Sequence, residues 1–117
     1  MPRIPVLKLG NVLVISLQDL GDEQALELQQ NVLGQLAETG AGGLLIDVSG
    51  IDVVDSFLGR VIGDTATMAR LMGAHTVLAG LQPSVAITIT ELGLSLPGVQ
   101  TALNLEKGLA MLTASEA

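Results

Sequence analysis

The chain has 117 residues, enough for one compact domain with its own core. Apolar residues make up 49% and Phe57 is the only aromatic, so the core must be built from Leu, Val, Ile, Ala and Met, and neither disorder nor the base stacking of single-strand nucleic-acid binders fits. The net charge of −7, with Arg3, Lys8, Arg60, Arg70 and Lys107 unclustered, disfavours nucleic acid and anionic membrane as partners, and the lack of cysteine excludes disulfides, thiolate catalysis and cysteine-based zinc sites.

Residues 4–9 and 11–17 read as two strands joined at Gly10-Asn11 in a tight hairpin. Residues 19–22 form a loop, with Asp22 as the N-cap of a helix over 23–39 whose apolar stripe is 25, 28, 32, 33 and 36. Gly40 suits the position just past its end. Residues 43–50, GLLIDVSG, are a near-continuous apolar run, as expected of a strand covered on both faces. After IDVVD and Ser56, residues 57–72 read as a helix with a core stripe of Leu58, Val61, Ile62, Thr65, Ala69 and Met72. Met68, Met72 and Met111 are all read as core. Residues 75–80 are another buried strand, and Pro83 opens a third helix over 84–92 despite a β-branched run. LPGV (96–99) marks a turn, 99–103 a short edge strand, and Asn104 caps a last helix over 105–114.

The expected fold is therefore α/β, a mixed and mostly parallel sheet in the order ββαβαβα(β)α, forming a single domain over 1–117. In such sheets function gathers at the carboxyl ends of the strands, which selects loops 19–22, 49–55 and 80–83. The opening MPRIP lacks the apolar core of a signal peptide, and no apolar run approaches the roughly 18 residues that span a bilayer. A soluble cytoplasmic protein is expected.

Four chemistries compete for these loops. Asp47, Asp52 and Asp55, with Asp19 and Asp22 nearby, form an acidic group of the kind that holds magnesium in phosphoacceptor domains. That chemistry also needs a lysine at a central strand end, and Lys8 and Lys107 are not so placed. The plainer reading makes these acids solvated loop residues and helix caps, with no metal. Ser56 as a hydrolytic nucleophile would need His75, the only histidine, and there is no GxSxG elbow. GAGG (40–43) precedes a strand, whereas phosphate loops follow one, so it is a helix stop rather than a nucleotide site. No catalytic residue and no cofactor is expected. Finally, Ser56 is either a simple N-cap or a target for modification. Phe57 at the helix start, Gly59 and Gly63 inside the helix, and the position of the loop favour a surface that another protein approaches, with the glycines clearing a path beside Phe57.

LLIDVSGIDVVDSF, the later GAHTVLAGLQPSVAITITELG and the order of elements together resemble the STAS family, which includes the anti-sigma factor antagonists. The resemblance covers essentially the whole chain. It implies that the hydroxyl of an Asp-Ser or Asp-Thr pair heading the helix, here Asp55-Ser56, is phosphorylated by a dedicated kinase. Simple antagonists usually continue with Ser-Gly-Leu-Gly or similar, whereas this chain has Phe57-Leu58-Gly59-Arg60. It therefore looks like the scaffold type found in stressosomes. The implied partners are a serine/threonine switch kinase bound through Asp55, Phe57, Gly59, Arg60 and Gly63, a phosphatase, and a sensor co-antagonist carrying the same domain, in a homo- or hetero-oligomer. Thr88 is a second phosphorylation candidate. A simple antagonist that binds an anti-sigma kinase directly is the alternative, followed by the magnesium phosphoacceptor.

Overall fold

Gly10 adopts the left-handed conformation (φ 58°) and turns strand β1, Val6–Leu9, back onto β2, Val12–Gln18. Helix α1 (Asp22–Thr39), β3 (Gly43–Gly50), α2 (Ser56–Leu71), β4 (His75–Ala79), α3 (Pro83–Glu91), β5 (Val99–Ala102) and α4 (Leu105–Ala114) follow. This computed structural model describes residues 6–18, 21–93, 96 and 98–114. Residues 4 and 5 of the first expected strand and Pro97 of the expected turn lie outside them.

The five strands lie side by side in chain order. β1 is antiparallel to β2, and β2, β3, β4 and β5 are parallel to one another. With strand order advancing in one direction, right-handed crossovers place every connecting helix on the same face. The core shows this arrangement. Leu13, Ile15, Leu44, Ile46, Val48 and Leu78 of the strands pack with Ala25, Val32 and Leu36 of α1, Leu58, Val61, Ile62 and Ala69 of α2, and Val85 of α3. The alternate positions Val12, Leu45, Val77 and Ala79 face the other way, against Leu112 of α4. Two-sided burial explains why β3 and β4 read as largely apolar runs rather than alternating ones. Gly108 lets α4 come close: a Cβ there would stand 2.6 Å from Leu45 Cδ1.

Local differences from the sequence reading have simple causes. Gly21, not Asp22, is the N-cap of α1, and its N–H is satisfied by Gln24 Oε1 at 3.0 Å. Asp22 lies in the first turn, where a carboxylate favours the helix dipole. Met68 and Met72 are exposed rather than core, because the stripe ends at Ala69 and Met72 is already the C-cap; Met111 is half-buried against the α4 side. The β-branched run of α3 holds as helix. Thr88 and Thr90 bond back to the carbonyls of Ser84 and Ala86, and Ile87 points to solvent. Asn104 caps α4 as expected, accepting from Lys107 N at 2.9 Å.

Candidate functional site

The carboxyl ends of β3 and β4 meet through two loops. Gly80 takes φ 78°, and a Cβ on it would stand 3.0 Å from Ser49 Cβ and 3.4 Å from Asp47 Oδ1. A residue with a side chain would be strained there and would push the loops apart. Gln82, the residue before Pro83, is held extended (φ −71°, ψ 146°). Its Nε2 donates to Ser49 O at 2.7 Å and to Asp52 Oδ1 at 3.1 Å. The segment between β3 and α2 is thus held from outside by Gln82 and from below by Ile51 and Val54, which are both buried. Between these anchors Val53 stands 74% exposed.

Asp55 is the N-cap of α2 and accepts from Leu58 N at 2.8 Å. The cap is therefore the aspartate and not the serine. Ser56 is the first residue of the helix, exposed, and its hydroxyl has no hydrogen bond among the described residues. The role that most commonly explains a serine at a helix start is already filled by its neighbour. Arg60 is exposed four residues on, on the same side of the helix as Ser56.

Other expected site residues are placed differently. Phe57 is half-buried and packs against the main core, so it is not the free surface contact expected. Gly59 and Gly63 are both buried. The path expected for a foreign backbone beside Phe57 is therefore not open at the surface. Thr88 sits within α3, half-buried, with its hydroxyl donating to Ser84 O at 2.9 Å.

The acids do not act as a cluster. Asp47 Oδ1 accepts from Ser49 N at 3.0 Å, Asp52 from Gln82, and Asp55 from Leu58. Asp19 lies outside the described residues. Among those described, no three His, Asp or Glu side chains converge to hold a metal. His75 opens β4 opposite Gly43, at the amino end of β3, whereas Ser56 follows the carboxyl end of that strand, whose own length is roughly 23 Å at about 3.3 Å per residue. The pair cannot serve as nucleophile and base. A cavity of about 20 Å3 between α1 and α2, bordered by Gln29 and Thr65, has room for a single water and lies beneath the helices, away from these loops.

Val53 and Gln82 are residues of the candidate site that the sequence reading did not single out. The signal for Val53 was an apolar residue between two aspartates in a loop at the functional end of the sheet. Gln82 carried only the hint of a polar side chain fixed by the following proline.

The mixed α/β sheet thus presents an exposed serine at the first position of α2, beside the aspartate that caps the helix. The model of the STAS domain matches residues 3–107, and the chain belongs to that family. It is 36% identical over 109 residues to the RsbT co-antagonist protein RsbRA of Bacillus subtilis, covering 92% of this chain. The chain spans 39% of that relative's length. Among solved structures it is similar to RsbS of Moorella thermoacetica, in a serine-to-glutamate variant, with a TM-score of 0.87, 38% identity and 98% of each chain covered. A chain from the structure describing the molecular architecture of the stressosome gives a TM-score of 0.80 at 38% identity, with 96% of this chain and 98% of that one covered. The fold also matches the anti-sigma factor antagonist SpoIIAA, with a TM-score of 0.73 at 14% identity and 98% of each chain covered.

Proposed function

We propose that the chain is a non-enzymatic scaffold of a cytoplasmic stress-signalling assembly. It holds an RsbT-like serine/threonine switch kinase at the surface around Ser56 and releases it when that kinase phosphorylates Ser56. A phosphatase resets the site. RsbR-like co-antagonists, whose domain this chain resembles, are the natural co-subunits of a hetero-oligomer.

The observation that carries this reading is the division of labour at the head of α2. Asp55 caps the helix, so Ser56 offers an exposed hydroxyl with no structural duty. The docking surface around it combines the exposed Val53 with Asp52, Asp55 and Arg60, while Phe57 supports the helix start from below. Phosphate placed there meets the positive end of the helix, so the product state is tolerated by the fold. The test is incubation with an RsbT-type kinase and ATP, followed by peptide mass mapping. Phosphate on Ser56, and its loss in Ser56→Ala, is the expected result. A modified residue elsewhere would overturn the assignment.

A further inference from the structure

We propose that Gln82 is a positioning residue for the Ser56 loop. Its amide fixes the segment 49–55 in the geometry that the kinase engages. The inference rests on the reading of Ser56 as the phosphorylated group.

The argument begins with the chemistry of the two contacts. Ser49 O is a carbonyl and Asp52 Oδ1 belongs to a carboxylate, so both can only accept. The group between them must supply two donors from one atom, and the NH2 of an amide does so. The distances of 2.7 and 3.1 Å fit two hydrogen bonds from one nitrogen. Residues 51–55 lie in neither helix nor strand, and among the described residues their backbone bonds are Ile51 N to Val48 O and Gly59 N to Asp55 O, both at 3.1 Å, with no ladder of their own. Gln82 is therefore the external polar tie on the stretch that carries Val53 and leads to Asp55 and Ser56.

The chain fixes the other end of the tie. Pro83 restricts Gln82 to extended backbone, and Gly80, with its positive φ, lets the β4–α3 loop lie against Ser49. Gln82 O also accepts from Val85 N at 3.0 Å and Ala86 N at 2.9 Å, so the same residue starts α3. The loop before Ser56 is in this way fastened to the first turn of another helix, and the GLQP segment (80–83) is built to hold that fastening.

The experiment compares Gln82→Ala, Gln82→Glu and Gln82→Lys in the full chain. Alanine removes both donors. Glutamate keeps the shape but only accepts, and it sets a second negative charge against Asp52. Lysine restores donors without an acceptor. Backbone nitrogen-15 relaxation, measured without any partner, reads the loop directly. Order parameters of residues 51–55 should fall from about 0.85 to below ~0.6 in the alanine and glutamate variants and stay near the parent value with lysine. Phosphorylation of Ser56 by an RsbT-type kinase should show KM raised about three-fold or more, with kcat within two-fold, and lysine should restore KM. Unchanged order parameters in both loosening variants would overturn the proposal. So would a loosened loop with unchanged KM. If the parent chain is not phosphorylated on Ser56 at all, the functional reading fails instead, and the relaxation data still decide whether Gln82 holds the loop.

Discussion

Phosphorylating Ser56 should leave the fold standing. The modification adds about −1.5 to −2 charges at neutral pH. At the first position of α2 this charge meets the helix dipole, a gain of ~0.3–1 kcal/mol. Arg60, one turn on and on the same side, adds ~0.2–0.5 kcal/mol. Asp55 opposes it: at ~6 Å in water, each pair of unit charges costs about 0.7 kcal/mol before salt screening. Asp52 acts in the same sense from further along the loop, where Gln82 holds it. These terms have opposite signs and similar sizes, so the net change lies within about 1 kcal/mol of zero. For a chain of this size that corresponds to a shift in Tm of roughly 4 °C or less in either direction. Thermal unfolding of the phosphorylated and unmodified forms, followed by far-ultraviolet circular dichroism, measures it. A fall in Tm above ~10 °C, or loss of helical signal at 25 °C, would refute the reasoning, because phosphate would then act by melting α2 rather than by changing a surface.

Three further expectations follow from the same geometry. Phe57→Ala removes a half-buried ring from the main core and should cost ~2 kcal/mol, about half the value for a fully buried phenylalanine, measured by urea unfolding. Asp55→Ala should cost ~1 kcal/mol through the lost cap, while Asp55→Asn retains most of the stability; equal loss in both variants would show that the cap is not the source. Val53→Ser should leave stability within ~0.5 kcal/mol, since the side chain is exposed, and should weaken kinase binding severalfold by calorimetric titration.

The sequence was most informative where periodicity decides. The 43–50 strand, the helical stripe of α1 and the hairpin at Gly10 all follow from local spacing and turn chemistry. It was least informative where one residue's role depends on a neighbour far along the chain. Asp55 and Ser56 are both good caps, and sequence alone does not say which takes the position. The helix starts one residue earlier than expected and the aspartate caps it. Phe57 at a helix start looked exposed, but the amphipathic face of α2 carries it onto the core. Gly59 and Gly63 were read as clearing a surface path for a partner, and both are buried within the domain. The contacts of Gln82 could not be read from the sequence, because its partners Ser49 and Asp52 lie about thirty residues away and are brought near only by the parallel pairing of β3 and β4.

Release of the kinase by a single phosphate is the central claim, and binding tests it most directly. The affinity of an RsbT-type kinase should be measured for the unmodified chain, the Ser56-phosphorylated chain, Ser56→Ala and Ser56→Asp. A phosphate facing a like charge ~6 Å away adds on the order of 1 kcal/mol in water and several at a drier interface, and each ~1.4 kcal/mol is tenfold in Kd. The account predicts at least tenfold weaker binding to the phosphorylated chain. It predicts a smaller loss for Ser56→Asp, which adds one charge, and full binding to Ser56→Ala that ATP no longer reverses. Equal affinity for the phosphorylated and unmodified chains would contradict it.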